Sequence, residues 1–75
     1  MDKKRYFMVG DTKFLFAEKT DVTTRIPYVS LYEVRDGEYP EEHRDVEWLD
    51  DFDHFDIGTA TDDLLMQYIK MAGTL

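Results

Sequence analysis

The chain has 75 residues, no cysteine and a formal net charge of −8, which together exclude several classes of protein. Without cysteine it has no disulfide framework, no thiolate metal ligand and no cysteine nucleophile. Its length corresponds to one domain, residues 1–75, which buries about 60% of its unfolded surface. A hydrophobic fraction of 43% is too high for a disordered chain. No apolar run is long enough for a signal peptide or a membrane span, so we expect a cytoplasmic protein.

The first half of the sequence predicts three antiparallel strands. The segments RYFMV (residues 5–9) and TKFLFAE (residues 12–18) are rich in β-forming side chains. The Gly-Asp pair between them is typical of a two-residue hairpin turn. The segment IPYVSLYEV (residues 26–34) predicts a third strand, with Pro27 near its start, where a missing N–H is tolerated.

The acidic stretch DVEWLDDFDHFD (residues 45–56) predicts an amphipathic helix. On a helical wheel, one half collects the apolar side chains Val46, Trp48, Leu49, Phe52 and Phe55. The other half collects polar side chains at i, i+3, i+4 and i+7, namely Glu47, Asp50, Asp51 and His54. Because aspartate is a poor helix former, a loop or a short helix that ends near Asp53 stays open as an alternative.

The segment TATDDLLMQYIKMAG (residues 59–73) predicts a C-terminal helix. Thr59 or Thr61 supplies the N-cap, aspartates follow in the first turn, and Gly73 ends the helix. Its apolar face consists of Leu64, Leu65, Tyr68, Ile69 and Ala72. The expected fold is therefore α+β, a small three-stranded antiparallel sheet in the N-terminal half with one or two helices of the C-terminal half packed on one face.

Charge is divided unevenly along the chain. Residues 1–30 carry six Lys or Arg and four Asp or Glu, whereas residues 31–75 carry three and thirteen. Between residues 36 and 63 there are twelve acids and a single base, Arg44. Such a surface repels nucleic acid and anionic membranes and attracts basic proteins or cations.

Metal binding and catalysis are weakly indicated. A calcium-binding EF-hand loop that starts at Asp51 fails, because Phe55 and Asp56 stand where an oxygen ligand and a glycine are needed. A ligand set of His54 with Asp50 and Asp51 is an alternative to an exposed histidine beside acids. Because phosphate-binding glycine loops and hydrolase motifs are missing from the sequence, we expect no enzyme activity, no metal and no cofactor.

Direct nucleic-acid binding is also weakly indicated. Aromatic residues on the predicted strands are of the kind that stacks with bases, namely Tyr6, Phe7, Phe14 and Phe16. A net charge of −8 opposes the attraction to phosphates that supplies most non-specific affinity. We therefore expect these rings to lie in the core.

The acidic run instead indicates a surface that another protein binds. Neighbouring carboxylates on a helix or a strand lie roughly 5–7 Å apart, close to the spacing of phosphates along a nucleic-acid strand. The favoured hypothesis is a non-enzymatic inhibitor whose acids occupy the basic, nucleic-acid-binding site of a host protein. Its predicted contact residues are Glu41, Glu42, Glu47, Asp50, Asp51, Asp53 and Asp56. An acidic surface that serves solubility alone explains the charge equally well.

In size, composition and the acidic run 36–63, the chain resembles inhibitors that phages and mobile elements encode against host nucleases. That class includes anti-CRISPR, anti-restriction and DNA-mimic proteins. The resemblance is one of class and includes no residue motif, so no functional residue is carried over from it. The alternative is a structural or regulatory subunit that dimerises through its C-terminal helix, with Leu65 and Ile69 in the contact and the acids serving solubility.

Overall fold

A computed structural model describes residues 3–35 and 46–73, which form a four-stranded antiparallel sheet and one helix. In chain order the elements are β1 (Lys4–Val9), β2 (Thr12–Thr20), β3 (Pro27–Val34), β4 (Val46–Asp53) and α1 (Asp62–Met71). The strands lie side by side in the order β1-β2-β3-β4. The α+β class, the antiparallel sheet and the C-terminal helix are confirmed, but the sheet has four strands where the sequence predicts three.

The predicted hairpin between β1 and β2 is present. Val9 lies opposite Thr12, so only Gly10 and Asp11 form the turn. Gly10 has a φ of 58°, in the left-handed region that glycine occupies without a steric penalty. This turn fixes the register of the first strand pair.

Asp21 organises the turn between β2 and β3. Its Oδ1 accepts hydrogen bonds from the backbone N–H groups of Thr23 at 2.8 Å and Thr24 at 3.0 Å. Its carbonyl oxygen accepts a third from the N–H of Arg25 at 2.8 Å. Arg25 has a φ of 65°, which is uncommon for a residue with a side chain. The turn therefore depends on the aspartate at its first position.

The Asp21 turn makes the folded state sensitive to acid. Hydrogen bonds from the N–H groups of Thr24 and Thr23 lower the pKa of Asp21 below its ordinary value of 3.8. Because the folded-state pKa is depressed, the stability from this carboxylate is present above pH 3.8 and is lost as the pH falls through the folded value. We expect the urea midpoint to fall below about pH 4, and Asp21→Asn to reduce the fall. An equal fall in the variant would contradict this assignment.

Helix α1 packs on one face of the sheet, here called the helix-bearing face. The core there consists of fully buried side chains from β2, β3, α1 and the turn before α1: Phe14, Phe16, Val29, Leu31, Ile57, Leu65 and Ile69. The ring of Tyr68 stacks on Phe55 with centroids 4.3 Å apart and contacts Phe52 at 4.6 Å. These rings extend the core towards β4 and contribute apolar burial at its margin.

The ends of α1 follow the sequence prediction. Thr61 is the N-cap, and its side chain accepts a hydrogen bond from the N–H of Leu64 at 3.2 Å. Asp62 and Asp63 occupy the first turn and Lys70 the last, as the helix dipole favours. No helix within residues 3–35 and 46–73 is long and apolar enough to cross a membrane.

The predicted helix over residues 45–56 is wrong, because residues 46–53 form β4, which pairs antiparallel with β3. The register shifts opposite Leu31 and Tyr32, where Leu49 is inserted as an extra residue, a β-bulge. The bulge lets Leu49 and Phe52 both pack against the core although they are three residues apart. A bulged strand thus mimics helical spacing. Pairing with β3 decides the structure, since the aspartates give a helix little support.

Arg5 connects β1 to the turn before α1. Its Nη1 donates hydrogen bonds to the carbonyl oxygens of Ile57 at 3.0 Å and Ala60 at 2.6 Å. Its Nη2 lies 3.5 Å from Oδ1 of Asp62, in the first turn of the helix. The side chain therefore positions the start of α1 over the sheet.

Candidate functional site

β4 is one of the two outer strands of the sheet in the part of the chain that the structure describes, and it carries acids on both sides. Its register places Glu47 and Asp50 on the helix-bearing face, and Asp51 and Asp53 on the opposite face, here called the open face. The predicted single outward row of Glu47, Asp50, Asp51 and His54 is therefore wrong, because successive side chains of a strand alternate between faces.

Asp51 is held by three hydrogen bonds at the middle of β4. Its Oδ1 accepts from Ser30 Oγ at 2.6 Å and from Trp48 Nε1 at 2.9 Å. Its backbone N–H donates to Oδ1 of Asp50 at 2.8 Å. Since Ser30 is only 2% exposed, Asp51 satisfies a polar group that would otherwise be buried without this acceptor. Asp51 therefore positions neighbouring side chains in addition to carrying charge.

Removing the Asp51 carboxylate is expected to destabilise the sheet edge. Asp51→Ala leaves the Ser30 hydroxyl without this acceptor, a loss of about 1–3 kcal/mol. Asp51→Asn keeps an acceptor oxygen and serves as the matched control, so its loss should be smaller. Trp48 is the sole tryptophan, and its fluorescence reports the same change during urea unfolding. Equal stability of Asp51→Ala and the unchanged chain would refute the role of this carboxylate.

The helical wheel predicted that Trp48 lies in the core, and this prediction is wrong. It lies opposite Tyr32 on the open face and is 56% exposed. Val46, also predicted to face the core, is 47% exposed at the start of the same strand. An exposed tryptophan among carboxylates is notable because tryptophan is enriched at the energetic centres of protein interfaces.

Two of the predicted contact acids take part in exposed ion pairs. The carboxylate of Glu47 contacts the guanidinium of Arg35. Oδ1 of Asp56 lies 3.9 Å from Nζ of Lys3 and accepts a hydrogen bond from the N–H of Gly58 at 2.9 Å. That N–H group is the main cause of the lowered pKa of Asp56. Exposed ion pairs are weak, so both carboxylates can exchange their partners for those of another protein.

The remaining predicted contact residues divide into two groups. Glu41 and Glu42 lie outside the described residues. Asp53, at the end of β4, lines an open depression of about 320 Å³ next to the Asp21 turn. The other residues that line it are Asp21, Tyr28, Asp51 and Phe52.

His54 does not join a metal-binding group with Asp50 and Asp51. Its Nε2 lies 2.6 Å from Oε2 of Glu18, on β2. Within residues 3–35 and 46–73, His, Asp and Glu side chains form no group of three or more that could hold a metal ion. The contact with Glu18 instead connects the residue after β4 to β2, an inner strand of the sheet.

The four aromatic residues predicted to lie in the core all do so except Tyr6. Phe14 and Phe16 are buried, and Phe7 packs against them. Tyr6 lies opposite Leu15 on the open face, where Nζ of Lys13 is 4.6 Å from its ring centroid. The sequence could not separate Tyr6 from Phe7 by residue type, but strand alternation places them on opposite faces.

Comparison with known proteins gives no relative from which a function could be transferred. No protein-family model, curated protein or solved structure matches the chain. The surface around β4 is therefore the basis for a functional proposal.

Proposed function

We propose that this protein is a non-enzymatic, protein-binding inhibitor whose acidic edge occupies the basic, nucleic-acid-binding site of a host protein. The observation that carries the proposal is the concentration of acid on one outer strand and the turn after it. Residues 46–61 contain five Asp or Glu and no Lys or Arg. We define the acidic strip as Glu47, Asp50, Asp53 and Asp56. Asp51 lies at the middle of β4 and orients Trp48 through a hydrogen bond.

The strand geometry suits this role. On the open face Asp51 and Asp53 are two residues apart, a separation of roughly 6.5–7 Å that is close to the spacing of successive phosphates. Pairing with β3 holds the backbone of β4 in place, so little conformational entropy is lost when the acids meet a basic groove. Long-range attraction to such a groove speeds encounter.

Inhibition would arise from competition. A basic groove that holds the acidic strip cannot hold DNA or RNA at the same time, so the inhibitor needs no chemistry of its own. The class resemblance to phage-encoded inhibitors of host nucleases supports this choice of partner. The expected partner is a basic, nucleic-acid-binding protein in the cytoplasm of the host cell, and direct binding of nucleic acid or membrane is not expected.

The alternative, a subunit that dimerises through α1, has less support. Leu65 and Ile69, the residues assigned to that contact, are fully buried against the sheet of their own chain. Met71 is exposed at the end of the helix, with 68% of its surface accessible. One exposed methionine is a small apolar surface for a stable interface.

A capture experiment tests the proposed function. Immobilised protein is incubated with host-cell extract, and bound proteins are eluted with double-stranded DNA. We expect DNA to release a basic, nucleic-acid-binding protein, and Asp53→Lys to capture much less of it. Asp11→Lys, in the turn between β1 and β2, makes the same change in net charge away from the strip and serves as the matched control. Equal capture by both variants, or retention in the presence of DNA, would count against the proposal.

A further inference from the structure

The open face has an ordered arrangement that the acidic strip does not explain. The strand register arranges it in four rows across the sheet. From β1 towards β4 these are Met8, Lys13, Val34 and Val46; Tyr6, Leu15, Tyr32 and Trp48; Lys4, Ala17, Ser30 and Asp51; and Lys19, Tyr28 and Asp53. The basic residues lie on β1 and β2, whereas both acids lie on β4, so charge changes sign across the face.

This face also exposes large apolar side chains. Met8, Val46 and Trp48 are 55%, 47% and 56% exposed. Helix α1 packs on the other side, and within residues 3–35 and 46–73 no second helix or sheet layer covers the open face. Met8 lies on β1 and the other two lie on β4, so the apolar surface reaches both edges of the face, as an interaction surface would.

We propose that the open face binds a second copy of this chain, in a twofold-symmetric dimer of two sheets packed face to face. A twofold axis that runs between the sheets and parallel to the strands places β1 of each chain over β4 of the other. Met8 then faces Val46 of the second copy, Tyr6 faces Trp48, and Lys4 faces Asp51. The outer strands thus meet in chemically complementary pairs, as an isologous interface requires, while between them Lys13 faces Val34 and Asp53 lies beyond the described end of β1.

The order of residues on the open face favours this axis over a twofold axis perpendicular to the strands. A twofold axis perpendicular to the strands reverses the rows and places Met8 and Val46 over the end that carries Lys19 and Asp53. The parallel axis instead places Met8 on Val46 and gives Lys4 an opposite charge. Aligned packing of two sheets at a separation of about 10 Å is a common arrangement and accommodates these side chains.

Single-stranded nucleic acid is the alternative ligand for the open face, because lysines and aromatic rings also form surfaces on which bases stack. Here Asp51 and Asp53 lie on the same face, and the chain carries a net charge of −8, both of which oppose phosphate binding. A second copy brings Lys4 to Asp51 in two symmetry-related contacts, while Lys13 and Lys19 lie over the rings of Tyr6 and Tyr32 in their own chain. Charge complementarity therefore favours the dimer.

Sedimentation velocity over a range of protein concentrations tests the dimer. We expect a reversible monomer–dimer equilibrium, and Met8→Lys should raise the dimer Kd at least about tenfold through desolvation of its charge. Met71→Lys, on α1, is the matched control and should leave Kd unchanged. Met8 lies on β1, away from the acidic strip, so this test is separate from that of the proposed function. Thermal unfolding followed by circular dichroism confirms that both variants fold.

A charge-swap variant then identifies the pairing. Val46→Glu alone should weaken the dimer, and combining it with Met8→Lys should restore it. Within one chain these two positions lie three strand spacings apart, about 14 Å, so the restoration has to occur between chains. A strictly monomeric chain, equal weakening by Met71→Lys, or no restoration in the combined variant would overturn the proposal. So would a monomer that binds a single-stranded oligonucleotide with quenching of Trp48 fluorescence.

Discussion

Replacing Leu65 with alanine is expected to lower the free energy of unfolding by about 2–5 kcal/mol. Leu65 is fully buried between α1 and the sheet, so the truncation removes apolar burial and leaves a cavity. A domain of this length is expected to have a total stability of roughly 4–11 kcal/mol. The loss is therefore a large share of the total stability, and the urea midpoint should fall in proportion. Urea unfolding followed by circular dichroism measures the change.

Met71→Ala is the matched control for this substitution. Met71 lies on the same helix but is 68% exposed, so its truncation should change stability by less than about 0.5 kcal/mol. If both substitutions had the same small effect, α1 would not be docked on the sheet through Leu65. The comparison also bears on dimerisation through α1, which would make Met71 the more sensitive position at high protein concentration.

Local signals were sufficient to predict two parts of the fold. The β1–β2 hairpin follows from Gly10 and Asp11 between two runs of β-forming residues, because the turn and its flanking strands are adjacent in sequence. The C-terminal helix follows from Thr61, the acids after it and the apolar spacing of Leu65 and Ile69. Each element carries its own start and stop signals, so tertiary contacts did not need to be known.

The structure of β4 could not be read in the same way. Leu49 and Phe52 are three residues apart and both pack against the core, which is the spacing of a helix face. The bulge at Leu49 produces that spacing in a strand, and its presence depends on pairing with β3. Strand pairing therefore overrides the local pattern, and Trp48 lies on the open face and not in the core as predicted.

The roles of Arg5 and Asp51 were also hidden, because both depend on distant residues. Arg5 binds the carbonyl oxygens of Ile57 and Ala60, 52 and 55 residues away. In the sequence it is part of a short basic cluster near the start of the chain, with no sign of its partners. Asp51 resembles the other acids in sequence, and only the register with β3 places it beside Ser30.

Reversing two charges of the acidic strip is expected to have the largest effect on function. Asp50 and Asp53 project from opposite faces of β4, so the double variant Asp50→Lys and Asp53→Lys places repulsive charges on both sides of the edge. We expect affinity for the captured partner to fall at least about a hundredfold, close to 3 kcal/mol. Asp51 is left unchanged because its loss would disturb Ser30 and Trp48.

The control for this variant is the pair Asp11→Lys and Asp63→Lys. Both positions are exposed and lie outside β4, and the net charge changes by the same four units. If long-range charge alone governs binding, the two double variants should lose similar affinity. If the acidic strip is the contact, only the β4 variant should lose most of it, while both unfold at similar urea concentrations.

The most direct test is the salt dependence of binding to the captured partner, measured by isothermal titration or surface plasmon resonance with and without competing DNA. Between about 0.05 and 0.5 M salt, screening shortens the range of electrostatic attraction several-fold. We predict that affinity falls steeply over this range, that DNA competes for the same site, and that the β4 double variant loses both the affinity and most of the salt dependence. Affinity unchanged by salt, by DNA and by the charge reversal would contradict a function of the acidic strip.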